Sequence, residues 1–274
     1  MGPSKTAQES GTTLAEQVDK HSPYEMSVQD VEQEAEFLDQ AYFELRNKKP
    51  VLMREDFCGT ANAATYWVTC NRRHKAIAVD IDPSVLESGR VRHLAGLSPS
   101  QSKRIRLVRG DVRTVAASPA DIVCAFNFSY WCFRQRDELI EYFRSVRRGL
   151  KRDGLFFIDV FGGSEAFTEC KEKTKHKGFT YVWHQKSYDP VTGEYVCHIH
   201  FRFKDGSRIK KAFTYHWRLW TLPELLDVLS DAGFSKSHVY WQGADEDGEP
   251  NGEFSRVPSA ENDPAWIAYV VSER

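Results

Sequence analysis

Between residues 51 and 163 the hydrophobic period switches back and forth between strand and helix, and most of the apolar runs end on an acid or an amide. "VLM" (51–53) gives way to helical spacing over 61–70, and "AIAVDID" (76–82) to the amphipathic "PSVLESGRVRHLAGL". Pro83 stands in the first turn of that helix, where a missing N–H costs nothing. "IRLV" (105–108), "DIVCAFNF" (121–128) and "GLFFIDVFGG" (154–163) read as further strands, with the helix "ELIEYFRSVRRGL" before the last. Strands apolar on both faces need cover on both sides. The expected fold class is therefore α/β, a doubly wound, Rossmann-like, mainly parallel seven-stranded sheet.

The flanks extend this layout. From Ser27, Val31, Ala35, Leu38, Tyr42 and Leu45 recur at helical spacing and predict an amphipathic helix closed by "NKKP". Beyond Gly163 the alternation stops, and period-2 stretches around "PVTG" and "KDGS" predict an antiparallel β insertion after strand five. The helix "TLPELLDVLSDAGF" and strands at 236–241 and 265–271 then return to the sheet, with "GADEDGEPNGEF" as a surface loop between them. The expected organisation is a flexible terminus over 1–22 and a core with an N-terminal cover helix over 23–163. An inserted lid over 164–220 and a completion of the core sheet over 221–274 follow.

A formal charge of −2 and a pI near 6.5 provide no global basic field, so nucleic acid is not the expected partner. No apolar run approaches the roughly 20 residues that span a bilayer, so no membrane association is expected. The six cysteines form no C-x-x-C pair, which argues against a zinc knuckle or a disulfide framework and for a cytoplasmic setting. Monomer and homodimer both remain open.

In an open α/β sheet, ligands bind beyond the carboxyl ends of the strands. Strand one ends at Glu55 and Asp56 before the turn Cys58-Gly59-Thr60; strands two and three end at Asp80 and Asp111, and strand four at Asn127. Each acid alone could simply cap the following helix. A nicotinamide dinucleotide would want G-x-G-x-x-G, whereas this turn has one glycine beside two carboxylates that would repel a pyrophosphate. A ligand with ribose hydroxyls, an adenine amine and a cationic centre suits the acids better.

With these four strand ends in order, the chain resembles the class I S-adenosylmethionine-dependent methyltransferases over roughly residues 50–160. In "EDFCGTA", Glu55 matches that family's first acid and Gly59 the middle glycine of its Gly-x-Gly-x-Gly turn; Phe57 and Ala61 replace the other two glycines. Those replacements imply a turn without left-handed geometry at Phe57 or Ala61. The resemblance implies S-adenosyl-L-methionine as cofactor, with Glu55, Cys58, Gly59 and Thr60 near its methionine portion. Asp80 matches the acid on the ribose hydroxyls, Ile81 the residue against adenine, Asp111 and Val112 the adenine amine and ring edge, and Asn127 the methionine end and acceptor. Tyr24 and the N-terminal helix would cover the cofactor. Asp56 is a candidate helix cap, and Arg54 either pairs with an acid or reaches the ligand.

The inserted lid is similar to that of small-molecule methyltransferases in this family, which implies a small-molecule acceptor methylated at nitrogen, oxygen or possibly sulfur. A protein methyltransferase, a nucleotide-binding oxidoreductase and a non-catalytic cofactor-binding protein are the alternatives. Asn127, Tyr130 and His200 are the catalytic candidates, and Tyr130, Trp131, His198, His216 and Trp217 the acceptor contacts. His198-x-His200 puts two imidazoles on one strand face, which with His216 could hold a metal; an ordinary polar face is the commoner meaning, and no metal is expected. Trp131, Trp183, Trp217 and Trp220 could wall in a cationic amine or simply pack the core.

Overall fold

The computed structural model describes residues 12–245, 248 and 250–274. Three helices lead in: α1 (Leu14–Gln17), α2 (His21–Val28) and α3 (Val31–Arg46). Asp30 caps α3 by accepting the Gln33 N–H, and Asn47 ends it in the left-handed region. There follow β1 (Leu52–Asp56), α4 (Asn62–Cys70), β2 (Lys75–Asp80), α5 (Pro83–Arg92), α6 (Pro99–Ser102), β3 (Ile105–Arg109), β4 (Ala120–Ala125), α7 (Arg136–Gly149) and β5 (Leu150–Gly162). The inserted strands are β6 (Cys170–His176), β7 (Phe179–Tyr188), β8 (Glu194–Phe203) and β9 (Arg208–Arg218). The chain closes with α8 (Leu222–Asp231), β10 (Lys236–Ala244), β11 (Pro250–Val257) and β12 (Trp266–Glu273).

The main sheet runs β11-β10-β12-β5-β4-β1-β2-β3. Its β3-β2-β1-β4-β5 portion is parallel, and β12 enters antiparallel beside β5. The doubly apolar strands have a direct cause in packing: Val123, Ala125, Phe156 and Ile158 face the core cluster under α7 and α8, while Ile122, Cys124, Leu155 and Phe157 face the one under α3 and α4. Successive residues of a strand point to opposite faces, so each must be apolar. The inserted strands form their own antiparallel sheet, β6-β7-β8-β9.

Two expectations need correction. The sheet has eight strands rather than seven, because the end of the supposed surface loop pairs antiparallel with β10 as β11, from Val239↔Val257 to Ala244↔Pro250. Residues 246, 247 and 249 of that loop lie outside the described residues. Of the terminus expected to be flexible, 1–11 lies outside the described residues, and the remainder is tied down. The Leu14 N–H donates to Asp205, the Ala15 N–H to Ser207 and the Lys20 ammonium to the Ala212 carbonyl, fastening the segment to the inserted sheet. Among the described residues, no helix is long and apolar enough to cross a membrane.

Candidate active site

β1 has β2 on one side and β4 on the other, so the strand order reverses there and a crevice opens beyond the carboxyl ends of β1 and β4. The turn after β1 is drawn tight against β2. The Cys58 N–H donates to the Val79 carbonyl at 2.9 Å and the Gly59 N–H to the Asp80 carboxylate at 2.9 Å. Phe57, Gly59 and Ala61 all take left-handed backbone, with φ of 57°, 54° and 58°. The glycine-free positions thus keep the glycine geometry, against the expectation for Phe57 and Ala61, at a cost of about 1–2 kcal/mol each. Gly89 of α5 packs directly on this turn, where a Cβ would lie 2.7 Å from the Thr60 carbonyl carbon and closer still to its oxygen.

The two acids of β1 divide the work differently from the expectation. Asp56 does not cap a helix: Arg54 grips it through Nε and Nη2 at 2.7 and 3.0 Å, and the Tyr142 hydroxyl donates to it at 3.0 Å, all three side chains buried. Arg54 therefore stays in the core and does not reach outward. Glu55 is the acid that meets α4, accepting the Ala64 N–H at 2.9 Å, and it also lines the crevice. Burial pushes its pKa up to about 8, with Asp80 and Asp56 adding to the rise. Glu34 of α3 lines the same space, and burial first, then the charge of Glu55, pushes its carboxyl well up.

At the end of β4, Asn127 and Phe128 are also left-handed, with φ of 57° and 55°. Both N–H groups donate to the buried Asp159 carboxylate of β5, whose pKa burial pushes up to about 7. Tyr130 is fully buried and donates its hydroxyl to the Asp159 backbone carbonyl at 2.8 Å, and Trp131 is buried beside it. Neither residue is among those lining the two cavities that meet at this turn, so Tyr130 is not placed to act as a base or to touch an acceptor there; both buttress the turn that carries Asn127.

Two cavities meet above this turn. The first, about 400 Å³, is lined by Tyr24, Glu55, Cys58, Gly59, Thr60 and Asp80 among others. The second, about 360 Å³, lies under the inserted sheet and includes Phe161, Tyr181, Trp183 and Trp266. Tyr24, Asn127, Tyr215 and Trp217 line both. Helix α2 closes over the first cavity: Glu25 accepts the Thr60 hydroxyl at 2.6 Å and pairs with Arg92 and His93 of the α5 end. Tyr24 sits in the roof, its hydroxyl against Tyr215, and burial pushes its pKa up to about 12.

Three other expected contacts stand back. Ile81 is 67% exposed, Asp111 is held by Arg113 at 2.7 Å, and Val112 is buried in the core with its carbonyl accepting from Arg54. Neither Asp111 nor Val112 is among the residues that line the first cavity. The histidines are a plain correction. Ile199 lines the second cavity, so its neighbours His198 and His200 point to the opposite face, and His216 does the same between Tyr215 and Trp217. His198 pairs with Thr214, and His200 accepts the Lys211 N–H. Among the described residues, no cluster of three side chains could hold a metal.

Of the four tryptophans, Trp183 and Trp217 line the second cavity, while Trp220 donates its ring N–H to the Phe133 carbonyl. Glu34, Asp159 and Tyr215 were not anticipated. The first two had a readable signal: Glu34 is three residues after Val31 and four before Leu38, inside the apolar stripe of α3, and Asp159 interrupts the apolar run "FFIDVF".

A family model described as a methyltransferase domain matches residues 56–158. No curated protein matches the sequence. Among solved structures, an S-adenosylmethionine-dependent methyltransferase from Clostridium acetobutylicum aligns with a TM-score of 0.68 at 16% identity, over 92% of this chain and 96% of that one. An S-adenosylmethionine-bound amino pentose methyltransferase from Micromonospora echinaspora aligns at 0.65 and 14% identity, over 93% and 95% of the two chains. A sugar N-methyltransferase from Streptoalloteichus aligns at 0.61 and 17% identity, over 100% of this chain and 98% of that one. At such identities the likeness is one of fold. Residues 56–158 form a methyltransferase domain, and the chain carries the fold of the S-adenosylmethionine-dependent methyltransferases.

Proposed function

We propose that this chain methylates a small-molecule acceptor, at nitrogen or oxygen with sulfur open, using S-adenosylmethionine held in the first cavity. The observation that carries the reading is the junction: an acid-lined cavity at the switch point and an aromatic one under the lid share Tyr24, Asn127, Tyr215 and Trp217. A cofactor on one side and an acceptor on the other would meet there, shielded from water by α2 and the inserted sheet. The chemistry of the donor set fits the cofactor. Glu34, Glu55, Asp80 and Asp82 line the first cavity, and burial of Glu34 and Glu55 without a counter-charge raises both. A ligand with cationic groups offsets that cost.

When bound, S-adenosylmethionine supplies an electrophilic methyl group on a cationic sulfur, open to in-line displacement. The chain's own part is to bind and orient. Asp80 is assigned to ribose hydroxyls, the turn from Glu55 to Thr60 to the methionine portion, and the Asp111 side to adenine. Asn127 is assigned to the junction. Residues 23–163 would then carry the cofactor, 164–220 would roof the acceptor, and 221–274 would complete the sheet. All six cysteines are free, which favours a reducing, cytoplasmic setting.

Calorimetric titration with S-adenosylmethionine, S-adenosylhomocysteine and NAD, alongside Asp80→Ala, tests the reading. The two sulfur ligands should bind and NAD should not, and the variant should weaken binding by about tenfold or more, since a charge-assisted contact is worth about 1.5–3 kcal/mol. Binding of NAD alone, or an unaffected variant, overturns the assignment.

A further inference from the structure

The second cavity has a marked chemical bias. Its walls carry the rings of Phe128, Phe161, Tyr181, Trp183, Trp217 and Trp266. Two carboxylates, Glu165 and Glu172, join them, and among the described residues lining it there is no lysine, arginine or histidine. Glu172 stands on β6 directly opposite Trp183 on β7, so acid and indole share the inner face of the lid. Glu165 follows β5 at the other wall, where the buried Gln185 fixes its segment by donating to the Glu165 and Thr168 carbonyls at 3.1 and 2.6 Å.

The rings themselves are held in register. Tyr215 and Trp217 stack at 4.2 Å between centroids, and Trp183 lies 6.4 Å from each. The Trp183 ring N–H is turned toward Gln185 at 3.4 Å. Ring faces carry negative charge density, so a box of rings with two carboxylates at its edge attracts a cation and repels an anion. The side of this inserted sheet away from the cavity is built differently, carrying Lys171 and the imidazoles of His184, His198 and His200, whose pKa values burial lowers, while Glu172 belongs to the cavity side.

We infer that the acceptor cavity selects an organic cation: an amine that is protonated in water, carried on an apolar or aromatic body. The step from cation-binding cavity to acceptor class rests on the methyltransferase reading above; the cation preference itself does not. Glu165 and Glu172 set the charge preference, and Trp183 and Trp217 supply the ring faces.

Three probes with one ring body separate charge from shape: 2-phenylethylamine, 2-phenylethanol and phenylacetate. Their binding to the protein saturated with S-adenosylhomocysteine is read from tryptophan fluorescence, in the wild type and in the double variant Glu165→Gln, Glu172→Gln. The amine should bind about tenfold tighter than the alcohol and tighter still than the acid, and the double variant should compress that order while leaving affinity for S-adenosylhomocysteine unchanged. Equal binding of amine and alcohol, preference for the acid, or no binding of the amine to a complex that does hold S-adenosylhomocysteine overturns the inference. Failure of S-adenosylhomocysteine itself to bind would count against the cofactor reading instead; the amine order, measured without it, would still decide the cation preference.

Discussion

The Asp159 carboxylate accepts the backbone N–H of Asn127 at 2.6 Å, and its other oxygen takes the N–H of Phe128 at 3.0 Å. Left-handed backbone at two consecutive non-glycine residues is strained, and such strain persists only where surroundings over-determine it. One buried side chain of β5 thereby fixes the residue that lines both cavities. Asp159→Asn presents an amide N–H where an acceptor is needed, so one backbone donor loses its partner. The expected loss is about 2 kcal/mol in denaturant unfolding at unchanged slope. Stability equal to wild type would mean that the turn is held by the Tyr130 and Trp131 packing alone.

The buried acids set the pH dependence of the unliganded protein. Glu55 has a pKa of about 8 in the folded chain and an ordinary value near 4.5 when unfolded, so between those values the folded state binds the extra proton. Its contribution to stability is fully present below the unfolded value and is lost as pH rises through about 8. Asp159, at about 7, and Asp56, at about 6, act with the same sign. Below about pH 6.5 the lowered pKa values of His74, His184, His198 and His200 act with the opposite sign, so the acids are read above it. In thermal unfolding, Tm of the apo protein should fall as pH rises from about 7 to about 9, and Glu55→Gln should flatten that decline. A Tm that climbs over this range would contradict the burial of Glu55.

Much of this was legible because strands and helices announce themselves by period, and period also fixes where a crevice must open. Asp80 and Asn127 could be singled out from position alone, each lying at or just beyond the carboxyl end of an apolar run. What local pattern does not carry is partnership across the chain. Asp159 acts on residues 31 and 32 positions away, and Glu34 meets Glu55 only once α3 lies across the sheet. Period 2 likewise says that His198 and His200 share a face but not which face turns inward; the aromatic residues on the other face took the interior because they bury more apolar area. Tyr130 and Trp131 were misread for a similar reason, since adjacency to Asn127 did not reveal that their side chains turn into the core.

That orientation makes a sharp expectation for the histidines. His198→Ala with His200→Ala removes two imidazoles from the outer face of the lid, away from both cavities. Methyl transfer to whichever acceptor is found should keep kcat/KM within about twofold, the scale of substitutions remote from a site. A fall of about a hundredfold with an intact fold would return His200 to the reaction, by the arithmetic of about 1.4 kcal/mol per decade.

Helix α2 provides the last test, because Glu25 is its central tie to the core, between flanking contacts of Asp19 with Ser88 and Arg92 and of Gln29 with Asn62. Glu25 takes the Thr60 hydroxyl from the β1 turn and pairs with Arg92 and His93, which keep its pKa low despite its burial. Glu25→Ala leaves α1 fastened to the inserted sheet through Asp205 and Ser207 and the two ends of α2 held by Asp19 and Gln29, but loosens the middle of α2 over the first cavity. Loss of one partner in a half-buried charge network acts chiefly on dissociation. Stopped-flow tryptophan fluorescence should therefore show S-adenosylhomocysteine leaving about tenfold faster with a nearly unchanged association rate. If both rates stay at the wild-type values, Tyr24 and α2 do not cover the bound ligand, and the roof over the first cavity must come from Phe213 and Tyr215 of the lid.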